Sequence, residues 1–294
     1  MKPAPFELHQ PTTVEDALAV LGEVAEEGGL VLAGGQSLVP MMALRVAFPP
    51  HLVDINKVAG LDAVTTEGDE LVIGAVARHA TFHRPLAPGP LGHLMATVSR
   101  SIAHYPIRMR GTFCGSLAHA DPASEWCLVA ATLGAQLEVA SASQRRRIAV
   151  EDFLEGAMTT ALDTGEMLLR ARLPLLSPDV RFGFYEFSRR AGDYALGMAL
   201  ATVRVEDGRI VETRLGLGAI EETARRIPEA EAVVVGEKPS ADLWRAAGDA
   251  AAAAVDPMED AATSADYRRD LASVCLRRAL ERTGLVDAGR HESI

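Results

Sequence analysis

The sequence predicts an α+β chain of about two domains, and three observations carry that reading. Its 294 residues are more than one hydrophobic core usually organises. Up to about residue 176, segments with helical apolar spacing are interleaved with short apolar runs, whereas after Pro178 strand-like segments come first and helices follow. The composition, 48% hydrophobic and 23% charged, is that of an ordinary globular protein and confines any disorder to the ends.

A first lobe, residues 1–56, opens with a helix. Thr12 and Glu15 have capping-box spacing, and Val14, Ala17, Leu18 and Leu21 recur at helical intervals until Gly28-Gly29 end the element. Leu30–Ala33 reads as a buried strand stopped by Gly34-Gly35, and a strand from His51 to Ile55 follows the break at Pro49-Pro50. A second lobe, residues 57–176, starts with the strand Glu70–Ala75 and holds helices at Leu91–Ala103 and Glu125–Leu133. Between these helices lies the loop Arg110–Ser116. Gln136–Ala140, Arg147–Val150 and Met167–Leu173 complete the lobe as strands, with Arg145-Arg146-Arg147 as a solvated turn before the second of them. From 178 to 287 a separate α+β domain is expected, with strands Phe182–Phe187, Met198–Val205 and Ile210–Leu217 and a turn at Asp207-Gly208. Its helices are Ala241–Ala254 and Ala265–Arg282, the latter with Tyr267, Leu271, Val274 and Cys275 along one face. The last residues read as disordered.

Charge and composition exclude several functions. A net charge of −11 opposes nucleic-acid binding, which needs a basic surface. The N-terminal residues hold no apolar signal core, and no stretch approaches the roughly 18 apolar residues of a membrane span, so a cytoplasmic location is expected. Cys114, Cys127 and Cys275 fall short of the four thiolates of a [2Fe–2S] cluster and form no CxxC pair. His79 and His83 lie four apart without a third ligand nearby, and no HExxH occurs, so no metal site is expected. No P-loop is present. Gly216-Leu217-Gly218-Ala219-Ile220-Glu221 lacks the third glycine of a dinucleotide fingerprint and sets Glu221 and Glu222 where a pyrophosphate would approach. No nucleophile–base pair stands out, so no catalytic residue is named.

Two glycine segments remain. Ala33-Gly34-Gly35-Gln36-Ser37 directly follows a strand, and its glycines let backbone N–H groups approach an anion while Gln36 and Ser37 add side-chain donors. Thr112-Phe113-Cys114-Gly115-Ser116 offers a hydroxyl at each end and a glycine inside. Either alone reads more readily as a plain turn, because turns are what glycine mostly serves. Two such cradles suit a diphosphate better than a single phosphate.

Together with their neighbours these segments resemble the FAD-binding medium subunit of the molybdenum hydroxylases, the xanthine dehydrogenase and carbon monoxide dehydrogenase family. The resemblance rests on Ala33–Leu38, Asp54-Ile55-Asn56, Ile107–Ser116, Ala118-His119-Ala120-Asp121-Pro122, Glu166-Met167-Leu168 ahead of Leu173-Pro174, and Arg189–Ala195, and it covers nearly the whole chain in order and spacing. It implies a two-lobed FAD-binding domain of the vanillyl-alcohol-oxidase-like (PCMH) type over 1–176, with the cofactor between its lobes, and a C-terminal flavoprotein domain over 178–287. Ala33, Gly34, Gly35, Gln36 and Ser37, with Leu38 beside them, would hold the FAD pyrophosphate and ribityl chain together with Thr112, Cys114, Gly115 and Ser116. Asp121 would accept hydrogen bonds from the cofactor, although a residue before Pro122 also reads as a helix cap. Leu168 would pack near the flavin, and Tyr194 would lie against its ring.

Two departures stand out. Cys114 replaces a glycine usual in the family, which asks for a backbone angle an L-residue tolerates. Gln36 cannot form a histidyl–flavin bond, so non-covalent FAD is expected. The implied function is electron transfer from a small [2Fe–2S] subunit, fed by a large molybdopterin-binding subunit, to a terminal acceptor, in a dimer of heterotrimers. The rival readings are a stand-alone flavin oxidase and a flavin-free scaffold subunit.

Overall fold

The computed structural model describes residues 2–261 and 263–286, and the chain divides into two compact units, neither continuous in sequence. The first comprises the residues up to Phe82, His104–Ala120 and Gly134–Pro174; the second comprises His83–Ala103, Asp121–Leu133 and the residues from Leu175 onward.

The first unit contains two sheets and a hairpin. A parallel sheet holds β1 (Glu7–His9), β2 (Leu30–Leu32) and β3 (His51–Asp54) in the order β1-β3-β2. The Val14–Val24 helix joins β1 to β2 and buries Ala17, Leu18, Leu21 and Val24. Its cap is Thr13, which accepts from the Asp16 N–H, one residue later than the capping-box reading placed it. The helix ends at Val24, a few residues before the glycines expected to stop it, and the chain then turns at Gly28, whose φ of +89° lets the Gly29 N–H return to the Val24 carbonyl at 2.9 Å.

The second sheet is antiparallel. It comprises β4 (Val64–Glu67), β5 (Glu70–Gly74), β6 (Gln136–Ala140), β7 (Arg145–Ala149) and, beyond the small hairpin of β8 (Leu154–Gly156) and β9 (Thr159–Thr160), β10 (Met167–Pro174). Its order is β4-β5-β10-β6-β7, with β10 central. Arg145–Arg147 are therefore not a solvated turn. They lie within β7, where Arg146 donates to the buried carboxylate of Glu166 at 2.6 Å and Arg147 to Glu138 at 3.1 Å. Glu138 faces Arg147 across the β6–β7 pair, and Glu166 lies in the turn just before β10, so the charge run is paired rather than solvated. The sequence does not show that pairing.

The second unit is a four-stranded antiparallel sheet, β11 (Arg181–Phe187), β12 (Gly197–Glu206), β13 (Arg209–Gly218) and β14 (Arg225–Arg226), in sequence order. Asp207 and Gly208 link β12 to β13 with φ of +49° and +75°, the angles of a type I′ hairpin turn. The Pro228–Val234, Ala241–Ala254 and Ala265–Glu281 helices cover the sheet around Trp244, Leu215, Val203, Leu271 and Leu276. Two earlier helices join them, Gly89–Ser99 against β11 and Glu125–Leu133 against β13. The first of these starts earlier than read, because Pro90 is welcome in a first turn, and stops at Ser99 rather than Ala103. The rejected dinucleotide pattern has a packing role. A Cβ on Gly216 would overlap the Thr132 hydroxyl, so this glycine seats the Glu125–Leu133 helix on β13.

Among the described residues no helix is long and apolar enough to cross a membrane. Residue 287 and the disorder expected for the last residues lie outside the described residues.

Candidate functional site

The first glycine segment is an open run of donors. β2 ends at Leu32, and Gly35 then takes φ +70°, a left-handed turn that glycine enters without strain. The Leu38–Ala43 helix starts at once, with Ser37 at its cap position and no side-chain cap bond. Its early turns are closed by Val39 N–H to the Gly35 carbonyl and Met41 N–H to that of Ser37, both at 3.1 Å. Among the described residues the N–H groups of Gly34, Gly35, Gln36, Ser37 and Leu38 meet no protein acceptor. Five successive free donors at the start of a helix have the chemistry to hold a phosphate oxygen. The Gln36 side chain is folded back, its Nε2 donating to the Gly34 carbonyl at 3.1 Å.

This run is braced against the second segment. The Asn56 Nδ2 donates to the Ala33 carbonyl at 2.8 Å, and Arg78 donates both to the Asn56 Oδ1 at 2.5 Å and to the Arg110 carbonyl. His79 N–H bonds the Gly111 carbonyl at 2.9 Å, and Phe113 N–H that of Ala77 at 3.0 Å. A Cβ on Gly34 would collide with Arg110 and Gly111, so the two segments meet backbone to backbone. His79 lies against Gly111. Burial first, then Arg108 and Arg78, depress its pKa to about 3, so the imidazole stays neutral. Arg78, Arg108 and Arg110 together set a positive field here, which suits a diphosphate. Sequence reasoning assigned no role to Asn56, although it stands in the quoted Asp54-Ile55-Asn56. Arg78 carried no signal at all.

The second segment is not the open loop expected. Thr112 is the N-cap of the Phe113–His119 helix, its Oγ1 accepting from the Gly115 N–H at 3.0 Å and its carbonyl from the Ser116 N–H at 3.1 Å. A side chain that satisfies its own backbone competes with any ligand for those donors. Of the N–H groups from Phe113 to Ser116, only that of Cys114 meets no protein acceptor among the described residues. The Cys114 side chain turns inward, Sγ donating to the Ile73 carbonyl at 3.6 Å, and burial pushes its thiol up to about 12. Helical backbone removes the need for a glycine there. Leu168 is buried in β10, beside a bulge between Leu168 and Arg170.

Asp121 and Tyr194 belong to the second unit. Asp121 Oδ1 accepts from the Ala123 N–H at 2.9 Å, whereas Ser124 Oγ accepts from the Cys127 N–H of the next helix at 3.4 Å. The helix cap is therefore Ser124, and Asp121 makes a local turn. Tyr194 is 72% exposed; partial burial, then the charges of Asp121 and Glu125, raise its phenol pKa. Beside them Glu125 is raised to about 8 by burial, then by Glu186 and Asp121, and Glu186 is raised to about 7 by burial. The structure thus gathers the two glycine segments in one unit, and Asp121 with Tyr194 in the other.

Comparison with known proteins identifies the family of the chain. A family described as FAD binding domain in molybdopterin dehydrogenase matches residues 4–176, and one described as CO dehydrogenase flavoprotein C-terminal domain matches residues 182–283. The chain is 36% identical to the nicotine 6-hydroxylase medium subunit of Paenarthrobacter nicotinovorans, over 93% of this chain and 95% of that one. It is 34% identical to the carbon monoxide dehydrogenase medium chain of Afipia carboxidovorans, over 96% and 98%. Among solved structures it resembles carbon monoxide dehydrogenase from Hydrogenophaga pseudoflava, with a TM-score of 0.92, 32% identity and coverage of 97% and 99%. Quinoline 2-oxidoreductase from Pseudomonas putida 86 gives a TM-score of 0.91 at 33% identity, covering 96% and 98%. With matches of this extent along nearly the whole chain, it belongs to the family of FAD-binding medium subunits of the molybdenum hydroxylases.

Proposed function

We propose that this chain holds one FAD without a covalent bond and passes electrons to a terminal acceptor within a complex that also contains a molybdopterin-binding large subunit and a [2Fe–2S] small subunit. The observation that supports this most is the run of free N–H groups from Gly34 to Leu38, braced by Asn56 and Arg78. We assign the pyrophosphate to Ala33–Leu38 and to the Cys114 N–H. Thr112, Gly115 and Ser116 shape the helix start that presents that group. Asp121, Leu168 and Tyr194 are proposed as contacts of the flavin and its ribityl chain. Bound there, FAD would supply the exchange of electrons between one-electron clusters and a two-electron acceptor. The chain's own residues bind and orient.

Its thiols are buried, and those of Cys114, Cys127 and Cys275 are all pushed up to about 12 by burial, so none offers a nucleophile. The chain also exposes apolar side chains at Leu44, Val46 and Phe48, as a subunit that docks on another does.

The test is purification with and without the companion subunits. The isolated chain should show a flavin spectrum at one FAD per chain, released by acid precipitation, and no turnover of organic substrates. Co-expression should give one assembly of three chains by size exclusion and mass spectrometry. A colourless chain that ignores added FAD would favour the scaffold. Substrate turnover at about 1 s⁻¹ or faster by the isolated chain would favour the oxidase.

A further inference from the structure

The parallel pairing of β1 and β3 sets Glu7 opposite His51 and His9 opposite Val53. Alternation along a strand puts Glu7 and His9 on one face, and in-register pairing adds His51 to it. The His9 Nε2 and His51 Nδ1 are 3.2 Å apart. The two oxygens of Glu7 stand 3.9 Å from the first nitrogen and 3.8 Å from the second. Behind His51, its Nε2 lies 3.3 Å from the Glu27 carboxylate.

We propose that Glu7, His9 and His51 form a zinc site that clamps the first strand to β3. The geometry fits. A tetrahedral ion with Zn–N bonds of about 2.0–2.1 Å holds two ligand nitrogens roughly 3.3 Å apart, close to the spacing found here. Glu7 must close by about half an ångström, which its two-thirds exposed side chain allows. Glu27 supplies an independent mark of a metal ligand. By accepting the His51 Nε2–H it leaves the Nδ1 lone pair facing His9, and a carboxylate behind a ligating imidazole is the usual support of such a ligand.

Without metal, His9 Nε2–H donates to His51 Nδ1. With metal, His9 carries its proton on Nδ1 instead, so both inner nitrogens bind the ion and no net proton is released. Two imidazoles and one carboxylate favour zinc over calcium or magnesium, and water completes the fourth position. The two histidines lie 42 residues apart in sequence and meet only through strand pairing, so no spacing motif announces them.

The experiment uses the full chain, freed of any affinity tag and stripped with chelator, titrated with zinc against a chromogenic chelator and by calorimetry. One zinc per chain should bind, with Kd on the order of 1 µM, and it should raise the Tm. His9→Gln and His51→Gln should each weaken binding at least about 100-fold, and Glu27→Gln about 10-fold. Zinc-edge X-ray absorption should show two imidazoles. Flavin content and circular dichroism should stay unchanged in all three variants, which separates this clamp from the cofactor site. Binding no tighter than about 100 µM, or a stoichiometry untouched in both histidine variants, would overturn the proposal.

Discussion

A Cβ placed on Gly34 would lie 2.7 Å from the Gly111 Cα, closer than any real carbon–carbon contact. Here the first donor run rests on the backbone before the Phe113–His119 helix, so Gly34 cannot carry a side chain without separating the two, whereas a Cβ on Gly111 would meet the His79 ring at its Nε2. Gly35 differs: its own Cβ would meet only side-chain methyls, Val39 Cγ2 at 3.1 Å and Leu32 Cδ1 at 3.2 Å, and the penalty there comes from φ +70°.

The two first-segment glycines should therefore respond unequally. Gly34→Ala should reduce flavin content at least about tenfold with helix content retained, whereas Gly35→Ala costs about 1 kcal/mol in backbone strain and should retain more flavin. Flavin absorbance per chain and far-ultraviolet circular dichroism decide it. The reverse ranking, or full occupancy in both, would show that the segment is a plain turn.

Thr112 should matter through its hydroxyl. Thr112→Ala removes the acceptor of the Gly115 N–H and should lower stability by about 1 kcal/mol, while Thr112→Ser keeps it. Thermal unfolding monitored by circular dichroism reads the difference. Equal Tm values for the Ala and Ser variants would contradict the cap.

Asn56 and Arg78 share one network, so their removal should not add. Asn56→Ala and Arg78→Ala should each weaken FAD binding, and the double variant should lose less than the sum of the two. Fluorescence titration of the stripped protein with FAD measures all four affinities. Strict additivity would mean that the bracing is incidental.

Glu125 ties stability to pH. Its folded pKa, raised by burial, then by Glu186 and Asp121, from 4.5 to about 8, means that the native state keeps a proton the unfolded chain has released. Its contribution to stability is therefore present below pH 4.5 and declines as pH rises from about 5 to about 8. Glu125→Gln should remove that decline, leaving a Tm at pH 8 above that of the unaltered chain. Parallel slopes of Tm against pH for both proteins would refute the assignment.

What the sequence shows follows from the range of the forces involved. Glu125–Leu133, Ala241–Ala254 and Gln136–Ala140 stand in the structure with the bounds read from residue patterns. Their apolar spacing, the Ser240 cap and the flanking turns are local. β1 and β4 went unread because they are short and largely exposed, with burial set by pairing rather than by alternation. The Leu38–Ala43 helix was hidden by Pro40, which its first turn tolerates. At the site, glycines and hydroxyls were visible, but which N–H groups stay free was not. That depends on Thr112 capping its own helix and on Arg78 reaching Asn56 and Arg110, contacts that only the folded chain creates.

The interleaving of the two units bears on synthesis. When the ribosome has released residues up to Pro174, every segment of the first unit exists, yet the Gly89–Ser99 and Glu125–Leu133 helices still lack β11 and β13. The second of these helices has eight buried side chains, from Trp126 to Leu133, with no strand of their own sheet to cover them at that stage. The nascent chain must hold this apolar surface until more than forty further residues emerge and β13 is complete at Gly218. Long-range closure of this kind is slow and prone to aggregation. Recombinant yield should therefore respond to slower translation or added chaperone more than to any surface substitution.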